Sequence, residues 1–241
     1  MAPPRLVRRF IGVAVFGFLL LADSGLASAA ERYYVIVFGS QQVPPRAKYS
    51  HSFATFVKAT STNTCPASWC LESHTISWMP DALELRVRAL FPECARNLEL
   101  HATMRWCLAT EQRISMWGPY EVRKEIYDAA LSQIALLDSG SVRYKVIDTG
   151  YCSDVACNCI HAVSSVVDGY RVRVFSPSFG ETASWYLTRR FEPWLLECNC
   201  RHEWVASGLG LDHYPIVRRD FESPRSNLAW TAFYALTGGN R

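Results

Sequence analysis

The chain has 241 residues, 49% of them hydrophobic, and a formal net charge of +3 from 25 basic and 22 acidic side chains. That much apolar sequence suffices for one large core with an appendage, and it excludes a mini-protein held by bridges alone. So balanced a charge carries no nucleic-acid or acidic-membrane footprint.

The N-terminus reads as an export signal. Arg5, Arg8 and Arg9 precede an uncharged run from Phe10 to Ala22, and the small residues Ala27-Ser28-Ala29-Ala30 follow. Basic, apolar and small segments in that order form a cleavable signal peptide over residues 1 to about 30. The apolar run is about thirteen residues, against the roughly twenty that a spanning helix needs. Arg8-Arg9-Phe10 touches on a twin-arginine signal, but the rest of that motif is missing. Cleavage removes three Arg and Asp23, lowering the formal charge of the remainder from +3 to +1. No later segment is apolar enough to span a bilayer, so an exported protein, periplasmic or extracellular, is expected, with no integral membrane segment after cleavage.

Downstream, YYVIVF from Tyr33 to Phe38, ended by Gly39 and Pro44-Pro45, predicts a buried strand and a turn. A second strand is expected over His51 to Ala59, with His51, Phe53, Thr55 and Val57 on one face at period two. Two more are expected over His74 to Met79 and Leu83 to Ala89. Four successive strands point to a mainly antiparallel sheet. Asn97 to Ser115 fits either period. Pro119 suits a first helical turn, and Val122, Ile126, Ala130, Ile134 and Leu137 then recur at helical spacing until Gly140, predicting a helix around Glu121 to Leu137. Val142 to Ile147 reads as a strand, Asp148-Thr149-Gly150 as a turn, and Asn158 as the N-cap of a helix from Cys159 to Val167. Arg171 to Phe175 is strand-like, and an aromatic-rich tail follows.

All nine cysteines lie beyond the signal: Cys65, Cys70, Cys94, Cys107, Cys152, Cys157, Cys159, Cys198 and Cys200. In an oxidising compartment an even set would pair off, so an odd count leaves room for a working thiol. Cys159 is the candidate. A cysteine in the first turn of a helix faces unpaired N–H groups and the positive end of the dipole, which favour thiolate. His51, at the head of a strand, is the candidate base, and His74, at the start of the next strand, the polar group to orient it. The same cysteine paired with Cys157 or Cys152 would have no such chemistry. Cys65 with Cys70 and Cys94 with Cys107 are possible local bridges.

The order of strand with His, strand with a second His, helix, strand, and then Asn158-Cys159-Ile160-His161 opening a helix resembles the circularly permuted papain-like enzymes. The lecithin:retinol acyltransferase-like group, with its Asn-Cys-Glu-His string, is the nearest likeness. The resemblance spans Tyr33 to Val167. It departs at Ile160, where the group has an acidic residue, and in an apparent insertion around Pro80 to Gly118. It implies an α+β papain-like sheet of about five strands packed against helices, residues 31–169; the tail, residues 170–241, is expected as a C-terminal extension packed on it. It further implies Cys159 as nucleophile, His51 as general base, His74 as the residue orienting it, and the Cys159 N–H as an oxyanion donor. The implied activity is a cysteine peptidase, amidase or acyltransferase without a cofactor. Its substrate would be a peptide, peptidoglycan or an acyl compound.

Two alternatives come from other classes. Cys157-Asn-Cys159-Ile-His161 recurs in form as Cys198-Asn-Cys200-Arg-His202, and two such strings offer thiolate and imidazole ligands to zinc or copper. The other alternative is a disulfide-stapled binding domain without catalysis.

Overall fold

The computed structural model describes residues 30–61, 69–148, 156–167, 172, 174, 179–197 and 200–221, so the proposed signal segment lies outside the described residues. The fold is α+β. Its elements are β1 (Ala30–Gln41), β2 (Ser50–Ser61), β3 (Cys70–Ile76), β4 (Trp78–Pro80), β5 (Ala95–Asn97), α1 (Leu100–Ala109), β6 (Arg113–Val122), α2 (Lys124–Asp138), β7 (Arg143–Tyr144), β8 (Ala156–Cys157), α3 (Cys159–Ser164), α4 (Gly180–Phe191), α5 (Glu203–Gly208) and β9 (Ile216–Arg219). Five strands form the main sheet in the order β3-β2-β1-β6-β9, antiparallel except for the β6–β9 pair.

β1 is central because it can be buried on both sides. Tyr34 to Phe38 are all fully buried, as expected of a continuous apolar run rather than an alternating one. Register divides the helices between the two faces. Tyr34, Phe38, His51 and Phe53 share one face, where the rings of Phe38 and Phe53 stack at 4.8 Å, Trp106 of α1 meets His51, and Trp204 of α5 meets Tyr34. The other face carries Tyr33, Ser52, Phe56 and His74, covered by Tyr127 of α2 and by Ser184 and Phe191 of α4.

α4 lies unusually close to the sheet. A Cβ added at Gly180 would fall 2.1 Å from the Ser40 carbonyl oxygen and 2.6 Å from that of His51, and one added at Gly39 would fall 2.4 Å from the Gly180 oxygen. Hydroxyls stitch the approach. The Gly180 N–H donates to Ser50 Oγ, and Ser184 Oγ donates to the Phe38 carbonyl at 2.6 Å. At the first turn of α4, Glu181 accepts from Ser115 of β6 and pairs with Arg113 and with Arg219 of β9. Burial pushes the Glu181 carboxyl up, but the Ser115 hydroxyl and the two guanidinium groups outweigh this and hold it below its ordinary value. The C-terminal segment therefore supplies both a covering helix and the fifth strand.

Several expected elements differ: the strand over His74 to Met79 breaks at Ser77 between β3 and β4, that over Val142 to Ile147 shrinks to β7, and the helix from Cys159 ends at Ser164 rather than Val167. Leu83 to Ala89 forms turns and bends rather than a strand, and Leu83 adopts φ 55°. Its alternating charges reach Lys48 and Glu93 in ion pairs, and of its apolar residues only Leu85 is buried, so alternation here marks a pinned loop between β4 and β5. Pro119 lies within β6 rather than at a helix start, and α2 begins only at Lys124, after an extended Arg123. The ambiguous stretch resolves into α1 followed by β6. The expected turn at 149–150 and most of the 171–175 segment lie outside the described residues.

Because backbone oxygens leave no room at Gly180, Gly180→Ala is expected to lower the unfolding free energy by about 1–3 kcal/mol, read as a reduced urea midpoint. A Cβ at Gly208 meets only the end of the flexible Leu71 side chain. Gly208→Ala is therefore expected to stay within about 0.5 kcal/mol of wild type.

Candidate functional site

The site begins with the short helix α3. Asn158 is its N-cap, in extended conformation, with its Oδ1 accepting from the His161 N–H at 2.9 Å. His161 takes the part that Glu or Gln plays in a capping box, its Nδ1 accepting from the Asn158 N–H at 3.3 Å. Asn158 Nδ2 donates to the Val146 carbonyl, and His161 Nε2 lies 3.0 Å from Asp148 Oδ2. The cap thus ties α3 to the segment after β7. These contacts fix the first helical residue, Cys159.

β3 pairs with β2 only between Ala54 and Thr60, so the edge of β2 at Ser52 is open to another partner. Cys159 lies beside that edge. Burial pushes its thiol, only 7% exposed, above the ordinary value and outweighs the Ser52 amide, the Tyr144 hydroxyl and the amides of Ile160 and Cys159, which favour the thiolate. Tyr144 is itself pushed well up, by burial first and by its thiol neighbours after it.

One residue from Ser52, the fully buried His51 packs between Phe53 and Trp106. Its Nε2 lies 2.9 Å from Ser77 Oγ, which in turn lies 2.8 Å from Thr103 Oγ1. Asn97 holds Ser77 in place, accepting from the Ser77 N–H at 2.8 Å and donating to the Thr75 carbonyl at 2.7 Å. His51 Nδ1 has no hydrogen-bond partner, so the thiol and the imidazole are not bonded to each other here. Burial drives His51 down to about 3. At neutral pH the arrangement is therefore a neutral thiol and a neutral imidazole, not a thiolate–imidazolium pair.

His74 does not join them. Strands β2 and β3 are adjacent, as expected, but the register sets His74 opposite Phe56, on the other face from His51, where it bonds Glu72 at 3.0 Å. The polar partner of His51 is Ser77. Sequence reasoning missed Ser77, Thr103 and Tyr144, because their roles depend on register and on loop packing. The one available signal was the small polar residue interrupting the apolar run Ile76-Ser77-Trp78-Met79.

The two Cys-x-Cys-x-His strings are not brought together. Cys159 meets β2 at Ser52, opposite Gly39 on β1, whereas His202 packs on Tyr34, five residues away, or about 17 Å along a strand. Within the first string, His161 Nδ1 is engaged by the Asn158 N–H. Cys198 lies outside the described residues, as do Cys65 and Cys152, and no group of three or more His, Cys, Asp or Glu among the described residues is placed to hold a metal ion. Cys70, Cys94, Cys107, Cys159 and Cys200 are free thiols. The suggested Cys94–Cys107 bridge is therefore absent, Cys94 being exposed and Cys107 fully buried, with its thiol pushed up to about 12 by burial.

His51 makes stability pH-dependent. Its folded value of about 3 lies below the ordinary histidine value of 6.5, so the unfolded chain binds the proton first as pH falls. Stability from this group is complete above about 6.5 and drains away toward about 3, with a slope of about 1.4 kcal/mol per pH unit. Urea unfolding between those limits should show this slope in wild type and a shallower one in His51→Asn. For Cys159, Tyr144→Phe removes a donor to the sulfur and is expected to slow iodoacetamide alkylation at neutral pH, read by peptide mass; faster alkylation would mean that the hydroxyl only shields the thiol.

No family model, curated protein or solved structure matches the chain.

Proposed function

We propose that the chain is an exported thiol hydrolase or acyltransferase, of the circularly permuted papain-like kind, in which Cys159 attacks an amide or ester carbonyl. One observation carries the reading. Cys159, in the first turn of a capped helix, lies beside Ser52, the residue that follows a buried histidine whose Nδ1 has no partner.

The roles follow from the hydrogen bonds. Nε2–H of His51 donating to Ser77 Oγ leaves the lone pair on Nδ1, the state a general base requires. The Cys159 proton moves to Nδ1 as sulfur attacks the carbonyl carbon, and the carbonyl electron pair moves onto oxygen. The Cys159 N–H is the oxyanion donor that the resemblance implies for that developing charge. Collapse expels the amine or alcohol, which takes the proton back from His51. Water or another acceptor, deprotonated by His51, then releases the acyl group from sulfur. Because thiol and imidazole start neutral and apart, substrate must bring them together, as catalytic hydrogen bonds commonly tighten on binding. Ser77 is a positioning residue, in the place first assigned to His74.

Burial of the thiol favours a second reading, an exported binding domain built on the same scaffold without turnover. Intact-mass analysis after mixing with a p-nitrophenyl ester separates the two. The proposal expects an acyl adduct mapping to Cys159 and lost in Cys159→Ala. His51→Asn should slow deacylation by about 10²-fold or more, whereas His74→Ala should leave it unchanged. Ser77→Ala should shift the pH profile of deacylation. Absence of a Cys159 adduct with peptide, ester and peptidoglycan-fragment substrates alike would leave the binding domain as the reading.

A further inference from the structure

The whole-chain charge conceals a local feature on the loop between β4 and β5. Leu90 and Phe91 are adjacent and 74% and 76% exposed, the most exposed large apolar side chains among the described residues. Two bare neighbours of this size on a polar surface require a reason.

The tip is held, not left loose. The Ala89 N–H donates to the Arg86 carbonyl at 3.0 Å, closing a turn just before it. The buried Lys145 sends its ammonium to the Leu90 carbonyl at 3.0 Å. Immediately after the tip, Glu93 and Tyr144 exchange backbone hydrogen bonds at 2.9 and 2.8 Å. The exposed basic residues of this region are Lys48, Arg86, Arg88, Arg96 and Arg143, and their acidic partners are Asp81, Glu84 and Glu93. Each of those three carboxylates already has a basic partner, so the excess is positive.

An apolar wedge standing out from a basic collar fits one kind of surface, an anionic bilayer. Apolar side chains enter the acyl boundary while cations meet the headgroups, and the two attractions together give binding that neither gives alone. We propose that the Leu90-Phe91 tip docks the protein reversibly on anionic lipid. The proposal does not require Cys159 to be a nucleophile. It does place Tyr144, joined to the loop by the Glu93 bridge, close behind the docked surface.

The test is sedimentation of the purified protein with vesicles of mixed phosphatidylglycerol and phosphatidylcholine, and of phosphatidylcholine alone. Wild type is expected to partition onto the anionic vesicles, and less so at high salt. Leu90→Ser/Phe91→Ser should weaken partition by about tenfold or more, with unchanged circular dichroism. Arg86→Gln/Arg88→Gln should weaken binding to anionic vesicles only. A Phe91→Trp variant gives an independent signal, since its emission should shift to the blue on anionic vesicles. Failure of wild type to partition, equal partition of the double-serine variant, or an unshifted Trp emission would overturn the proposal. So would a dimer in solution that the double-serine variant dissolves, because the tip would then seat a second copy.

Discussion

The absence of a side chain at Gly180 lets the start of α4 rest on bare backbone, within reach of the carbonyls of both Ser40 and His51. Much else follows from that approach. It sets the depth at which α4 covers β1 and β2, brings Ser184 to the Phe38 carbonyl, and delivers Glu181 to the arginines of β6 and β9. It also fixes the backbone on which His51 and Ser52 are carried. The face of β2 that holds the imidazole and the edge beside Cys159 are thereby held as one rigid unit, as a catalytic or binding constellation needs.

On that unit two opposing effects meet. Helix-terminal amides, the Ser52 amide and the Tyr144 hydroxyl all favour charge on the Cys159 sulfur, while burial opposes it and prevails. Burial acts on His51 in the same sense, keeping it neutral. Admission of a polar molecule or of water would lessen the burial of both groups at once, and the polar neighbours already in place would then count for more.

Much of the fold was legible because local signals agreed. The run Tyr33 to Phe38, the period-two pattern from His51, and Asn158 before an apolar helix each rest on chain-local chemistry, and each occurs where expected. The site was legible only in part. Cys159 and His51 were singled out by residue type and position in an element, but the polar neighbour of His51 was not, because a strand's register decides which residue lies beside which. His74 fell opposite Phe56, and Ser77, beyond the last β2–β3 pair, reached His51. The loop from Leu83 to Ala89 misled for a related reason: charges alternated to satisfy ion pairs, not to expose one face of a strand.

The sheet's one parallel pair has a consequence for how the molecule assembles. β1, β2 and β3 follow one another closely and can pair as soon as they are made, whereas Ile114 of β6 must wait for Ile216. Until then the outer edge of β6 offers unpaired amides and carbonyls to any passing strand. The arginine and carboxylate cluster at Glu181 closes at the same late moment, since Arg219 arrives on β9. Because the β6–β9 ladder needs the residues latest in sequence, chains that stall before it leave β6 exposed and should be prone to self-association.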